Sequence, residues 1–413
     1  MTPTHPALDG GPLYLDYNAT TPVDPRIAQA AQPYLATWFG NPSSTHSYAV
    51  EPRRALQRAR EQIASLLGAR AQEIVFTGSG SEADNLAIRG AVLAARAARP
   101  HVITQVTEHP AVLQSCQALE RLHGAEVTCL PVDRHGLLDP ADLAAAITPH
   151  TVLVTVMAAN NETGALQPIT ELACIAHGAG ALFHCDAAQS AGKIPLHVDD
   201  LGVDLLTVVG HKMYAPKGIA ALYVRDGVTL EPLLYGGGQE HGLRAGTENV
   251  ALAVALGAAA QLAADELADG AHHRTAALRD QLHALLDQAL PGRVHLNGPT
   301  GNRLPNTLNI SIDNTLGHEL LAAAPQIAAS TGSACHSGDH RPSPVLSAMG
   351  LDTERALSAL RLSLGRWTTS TDIHNAARAL TNAAAQASPR MTMTTREAPG
   401  AHRRPAPDPE LLG

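Results

Sequence analysis

The sequence predicts an α/β protein whose large domain holds a mostly parallel sheet, with a smaller α+β domain after it. Three observations carry this. From about Gln72 to Pro325, short apolar runs alternate with Ala- and Leu-rich stretches of helical period. From Ala251 a long Ala-rich helical region gives way to strand-like runs and a closing helix. At 413 residues the chain is long enough for about two domains of roughly 100–200 residues each.

The elements follow in order. The segment up to about Thr21 is expected to pack with the second domain. Buried strands are predicted at Glu73–Thr77, Val102–Val106, Val152–Met157, Leu182–Cys185, Leu205–Val209 and Ala220–Val224, where apolar, β-branched residues run without alternation. Helices are expected between them, including Glu82–Arg96, Ala111–Leu122 and Thr170–Ala176. In the second domain Thr307–Ile312 and Ala359–Leu364 read as strands and Thr371–Ala387 as the closing helix. The expected division is 22–260 for the large domain and 1–21 with 261–387 for the small one. Residues 388–413, rich in Pro, Arg and Thr, are expected to form a disordered tail.

Composition narrows the function classes. The net charge is -9, and basic residues cluster no further than pairs such as Arg53-Arg54 and Arg403-Arg404. A phosphate-backbone binder needs clustered cations, so nucleic acid is not expected as a partner. No apolar run is seen to approach the about 20 residues that span a bilayer, and Met1–Gly11 lacks a charged-then-apolar signal pattern. By elimination, a cytoplasmic location is expected. The five cysteines, Cys116, Cys129, Cys174, Cys185 and Cys335, are scattered without a CxxC pair. Neither a zinc site nor a disulfide framework is expected.

The chain has three lysines, Lys193, Lys212 and Lys217. An amine can deprotonate and form a Schiff base, whereas a guanidinium cannot. Lys212 follows an apolar strand in Val209-Gly210-His211-Lys212, and ligands of open α/β sheets bind at the carboxyl ends of such strands. In isolation it reads as a solvated loop residue; its company changes that. Phe183-His184-Cys185-Asp186 ends another strand in a carboxylate, with Gln189 just beyond. Such an Asp suits a pyridine nitrogen, or a plain helix N-cap. Ala159-Asn160-Asn161-Glu162 ends a third strand, or is merely a turn. Thr107-Glu108-His109 ends a fourth, where a lone His is more often a structural hydrogen-bonder than a catalyst. Phe76-Thr77-Gly78-Ser79-Gly80-Ser81-Glu82 reads strand, Gly/Ser loop, helix start, which is the form of a phosphate cradle and also of an ordinary turn.

Gly332-Ser333-Ala334-Cys335-His336-Ser337-Gly338-Asp339-His340 is a polar loop between two structured pieces. A cysteine there is expected to be exposed, beside imidazoles that favour the thiolate. Cys116, Cys129 and Cys174 read as inert, buried small hydrophobes. Cys185, next to Asp186 on a strand, should point to the opposite face.

In this order the pieces resemble one family: the cysteine desulfurases and selenocysteine lyases, class V aminotransferase-like enzymes of the aspartate-aminotransferase fold (fold type I). The resemblance runs from Tyr14-Leu15-Asp16-Tyr17-Asn18-Ala19-Thr20-Thr21-Pro22 to Leu362-Ser363-Leu364-Gly365-Arg366. Between them stand Phe39-Gly40-Asn41-Pro42-Ser43-Ser44, Thr107-Glu108-His109, Asn160-Asn161-Glu162-Thr163-Gly164, Gly210-His211-Lys212, and Gly236-Gly237-Gly238-Gln239-Glu240 with Arg244-Ala245-Gly246-Thr247. The resemblance implies pyridoxal 5'-phosphate as cofactor and a homodimer. It implies that Lys212 carries the cofactor and moves protons, that Asp186 pairs with the pyridine nitrogen, and that Gln189 bonds the phenolic oxygen. His109 stacks on the ring and assists proton transfer. Gly80, Ser81 and His211 hold the phosphate, with Thr247 reaching it from the neighbouring subunit. Asn161 and Arg361 orient the substrate, Arg361 by gripping its carboxylate, and Cys335 takes the sulfur as a persulfide.

Two departures concern the phosphate: Val209 stands where many members place a Ser, and Gly80-Ser81 replaces a more familiar Ala-Thr. The wording around Cys335-His336-Ser337 and Pro342-Ser343-Pro344-Val345-Leu346 looks closer to selenocysteine lyases. L-cysteine is the favoured substrate and L-selenocysteine the alternative, with a class V aminotransferase or a non-catalytic sulfur scaffold behind them. A sulfur-acceptor protein is a further expected partner. Iron–sulfur cluster assembly, tRNA thiolation and a specialised pathway all stay open as destinations for the sulfur.

Overall fold

The computed structural model describes residues 5–331 and 341–386. Cys335 and the expected 388–413 tail lie outside the described residues.

The strands number twelve among the described residues. β1 (Leu13–Tyr14) enters first. β2 (Ile74–Thr77), β3 (His101–Gln105), β4 (Glu126–Leu130), β5 (Thr151–Thr155), β6 (Leu182–Asp186), β7 (Leu205–Val209) and β8 (Ala220–Val224) form one sheet, in the order β2-β8-β7-β6-β5-β3-β4. β8 alone runs antiparallel to its neighbours; the other pairs are parallel. β2, β3, β5, β6 and β7 therefore present their carboxyl ends along one edge, where a doubly wound sheet binds ligands. Most of these strands are buried on both faces, which is why they read as unbroken apolar runs.

Helices cover this sheet. Gly80–Ala94 begins after the Gly/Ser loop, with Ser79 Oγ accepting from Glu82 N. Pro110–His123 begins at His109, with proline in its first turn and Gly124 closing it in the left-handed region. Val250–Ala268 packs along Val50–Leu67 so closely that a Cβ on Gly257 would stand 2.6 Å from Ala59 Cα. With 19 residues this helix is long and apolar enough to cross a membrane by length and composition, contrary to the expectation from the sequence. Nine of its residues are buried in the protein, however, and its place is a core helix.

A second core gathers around β9 (Val294–Leu296), β10 (Thr307–Ile312), β11 (Ile327–Ala328) and β12 (Ala359–Ser363). The antiparallel order is β12-β10-β9, and β1 pairs in parallel with β11. Leu15, from the N-terminal segment, belongs to this core together with Leu282, Ile310, Leu360 and Ile373. The helix Val250–Ala268 contributes Ala253 to Ala263 to the large core, while Ala271–Ala289 contributes Leu282 and Leu286 to the small one. The break between them is Asp269–Gly270, where Gly270 adopts a φ of 72°. Ser370–Gln386 closes the chain's described part against the small core.

Candidate active site

The carboxyl edge of the large sheet and the face of β12 enclose a cavity of about 520 Å³. Asp186, Gln189, His109, Gly80, Ser81, His211, Lys212, Asn161 and Arg361, each expected from the sequence, all line it, with Asp16, Asn18, Asp84 and Val209 beside them.

Lys212 ends the 3-10 turn Gly210–Lys212 that follows β7. Its Nζ donates to the carbonyls of Asn18 (2.5 Å) and Ala19 (2.9 Å). Burial, seconded by the Arg361 guanidinium, pushes the amine down to about 8 against the opposing pull of Asp16 and Asp186. About a tenth of this lysine is therefore neutral near pH 7, far more than of an ordinary lysine, and the neutral form is the nucleophilic one.

Asp186 ends β6, the strand paired with β7, and its register partner is Thr207. It is buried, with Oδ1 accepting the Ala188 N–H at 2.9 Å. Burial raises its carboxyl, and the His109 and Lys212 charges work against that. Cys185 is fully buried among apolar residues of the large core. His109 caps the helix that follows β3, its Nδ1 accepting from Ala111 N, so in the neutral ring Nε2 carries the proton. Burial lowers its pKa.

Arg361 points from β12 toward the large sheet. Nη2 donates to Asp16 Oδ1 (2.6 Å) and Nη1 to the Asn161 carbonyl (3.3 Å), while Nε is buried without a partner among the described residues. An N–H left over on a desolvated guanidinium is a place for a carboxylate oxygen. Ser330, which also lines the cavity, pairs with Arg361 backbone to backbone (Arg361 N to Ser330 O, 2.7 Å). Downstream, Ser343 donates to the buried Glu162 Oε2 at 2.6 Å. The upstream flank of the segment that carries Cys335 is thus held at the cavity wall, and the downstream flank is tied to Glu162, next in sequence to Asn161 of that wall.

The phosphate region explains the two departures together. Thr77 and Val209 both pair with Ala220, so the Gly/Ser loop lies beside the end of β7. A Cβ on Gly80 would stand 2.6 Å from Val209 Cγ2. Valine occupies the space that an alanine at position 80 would need, so Gly80 and Val209 are one compensated change. His211 reaches the same region, its Nδ1 3.1 Å from Thr20 Oγ1, and burial with the Lys212 charge pushes it down to about 4. Thr247 is exposed and does not line the cavity of its own chain.

Three residues at the site went unassigned in the sequence. Asn18 is a hub: its carbonyl accepts from Lys212 and Gln189, its Nδ2 donates to Thr307 Oγ1 and the Asn161 carbonyl, and its Oδ1 accepts from Asn306. Glu108 struts β3 to β5, its Oε1 accepting from Gln105 Nε2 and Met157 N, with burial pushing it up to about 8. Lys193 donates to Gln189. Asn18 and Glu108 stand inside quoted motifs, so position pointed to them although no chemistry did.

The set fits pyridoxal phosphate on this chain's own geometry: a neutralisable lysine, a buried carboxylate on the adjacent strand, a helix N-terminus cleared by glycine, and a guanidinium with a spare N–H. These define a fold type I pyridoxal-phosphate enzyme, and comparison with known proteins agrees. Residues 13–375 match the aminotransferase class-V family model, and the chain belongs to that family. A cysteine desulfurase of Trichormus azollae is 49% identical over 363 residues, covering 87% of this chain and 90% of the relative. The human cysteine desulfurase is 45% identical over 365 residues, covering 88% of this chain and 79% of that one. Among solved structures, a NifS-like protein superposes with a TM-score of 0.83 at 34% identity, covering 90% of this chain and 98% of the other. SspA in complex with cysteine gives 0.75 at 36% identity, covering 86% and 99%.

Proposed function

We propose that this protein is a cysteine desulfurase, converting L-cysteine to L-alanine and holding the sulfur as a persulfide on Cys335. The observation that carries this reading is the placement of Lys212, Asp186 and Arg361 around one cavity, with the segment bearing Cys335 leaving the cavity wall at Ser330 and returning at Ser343, which is bonded to Glu162 beside Asn161.

Pyridoxal phosphate, bound through Lys212 with its phosphate at Gly80, Ser81 and His211, supplies an electron sink for the substrate α-carbon. The chain's residues do the rest. Arg361 binds the substrate carboxylate and, with Asn161, orients its side chain toward the rim. The Lys212 amine removes the Cα proton and returns it later, a task suited to a base poised near 8. His109, neutral near pH 7, would stack on the ring and assist proton transfer. The Cys335 thiolate attacks the substrate sulfur. A sulfur–sulfur bond forms as the Cβ–S bond breaks, its electron pair stays with the substrate carbon, and protonation there yields alanine.

The same reading includes a homodimer, supported by the exposed Thr247 and by the exposed aromatics Phe39, Tyr48 and Tyr235. It also includes a cytoplasmic location, where thiols stay reduced and a persulfide can pass to an acceptor protein. The names of the relatives above favour cysteine over selenocysteine. A side-by-side turnover assay tests this: L-cysteine should be desulfurated, and Cys335→Ala should keep the cofactor's yellow colour while sulfur release falls to near background. Unchanged desulfuration by Cys335→Ala, or turnover of L-selenocysteine with none of L-cysteine, would overturn it.

A further inference from the structure

Lys193 has no part in the reaction as derived above, yet it sits at the site. Its Nζ lies 2.9 Å from Gln189 Oε1 and 3.3 Å from Asn18 Oδ1. Backbone carbonyls fix which end of each amide faces it. Gln189 Nε2 donates to the Asn18 carbonyl at 3.0 Å, so Oε1 is the atom turned to the lysine. Asn18 Nδ2 donates to the Asn161 carbonyl at 3.2 Å, so Oδ1 is turned to it as well. Both polar neighbours of Nζ are therefore acceptors, and the lysine serves as a donor whether or not it is charged. Arginine was available, since the chain uses it almost everywhere else, but a compact head with freely rotating donors suits two converging oxygens.

We propose that Lys193 is a positioning residue, which by donating to Gln189 Oε1 locks that amide so that its second Nε2 hydrogen faces the cavity. On the pyridoxal-phosphate reading, on which this rests, that hydrogen meets the cofactor's phenolic oxygen. Without Lys193, Oε1 is a buried acceptor without its donor, and only the Asn18 carbonyl is left to hold the amide's orientation. The N–H toward the phenolic oxygen is then weakened or lost as the amide rotates. Burial drives the Lys193 amine well below its ordinary range, and the Lys212 and Arg361 charges act the same way, so the link holds through a neutral donor too.

The test is the pH midpoint of the visible absorption of the holoenzyme. Losing a donor makes the phenolic oxygen a stronger base, so the proton it shares with the Lys212 nitrogen is held to higher pH. Lys193→Met should raise the midpoint by about 0.5–1 pH unit, the size of one hydrogen bond. Lys193→Arg keeps a donor, and a void of about 70 Å³ beside Lys193 gives the larger head room, so its midpoint should stay at the wild-type value. In a Gln189→Met background, Lys193→Met should add no further shift. His109, Asp186, Lys212 and Arg361 are unchanged in every variant. Where Lys193→Met does not fold, Lys193→Gln, too short to reach both oxygens, carries the same expectation. An unmoved midpoint, or an equal shift without Gln189, overturns the proposal. A wild-type protein with no visible band overturns the cofactor reading itself, which is a different failure.

Discussion

Gly80 and Val209 show what a single residue hides until its neighbour is seen. Read along the chain, Val209 is a missing hydroxyl and Gly80 a missing methyl, and restoring serine alone looks like a gain. In space, valine fills the place of the absent methyl. We expect Val209→Ser by itself to leave a void and give no tighter cofactor binding. Gly80→Ala alone should weaken binding, because its Cβ would stand 2.6 Å from Val209 Cγ2. The double variant should bind pyridoxal phosphate more tightly than either, with a coupling of about 0.5–3 kcal/mol. Titration of the apoprotein measures each Kd, and strictly additive effects would refute the pairing. At this scale the residues expected to touch the cofactor were legible, because strand ends followed by Lys, Asp, His or Gly/Ser are local patterns. Asn18 and Lys193 were not, since their partners stand 143 or more residues away in one case and behind an ordinary turn in the other.

Elements were legible where burial made them monotonous. Leu205–Val209 and Ala220–Val224 are apolar throughout or nearly so, Thr307–Ile312 alternates polar with apolar residues, and the bounds of all three match the prediction. β4 escaped because it is an edge strand in which only Leu130 is buried, while Glu126 and Cys129 face solvent; Cys129, like Cys174, is exposed and not the buried small hydrophobe expected. Val50–Leu67 carries no predicted element, for Glu51, Pro52, Arg53 and Arg54 open it with charge and a proline that is tolerated in a first turn. That helix also holds Arg60, whose Nη1 donates to Glu240 Oε2 at 2.7 Å in a buried ion pair, and Glu240 accepts the Phe76 N–H as well. The pair ties the Gly236–Glu240 run to β2, just ahead of the phosphate loop. Removing one partner leaves a buried charge uncompensated. Glu240→Ala should therefore cost about 3–5 kcal/mol, seen as a lower Tm by calorimetry and as weaker cofactor retention. Arg60→Met with Glu240→Met should recover most of that stability. A single variant as stable as the wild type would show that the pair does not hold the segment.

The whole molecule raises the question of how many chains make one site. Arg244 donates to Glu82 Oε1 at 2.7 Å, which lays the segment before Thr247 against the first turn of the helix Gly80–Ala94. Thr247 itself is exposed and is not among the residues lining its own chain's cavity. A partner related by a two-fold axis would bring its own Thr247 to this cavity and receive this one in exchange. Mixed dimers separate that arrangement from a site complete in one chain. Lys212→Ala removes the covalent anchor, and Thr247→Glu sets a carboxylate where a phosphate should bind. Each homodimer should be inactive at limiting pyridoxal phosphate. If the threonine comes from the partner, a hybrid of the two chains contains one site with both Lys212 and Thr247 intact, and a second site with neither. Mixing the unfolded chains and refolding them together should then restore up to about half the activity per hybrid dimer, with one cofactor bound per hybrid. If each chain used its own Thr247, every hybrid site would lack one of the two groups, and mixing would restore nothing.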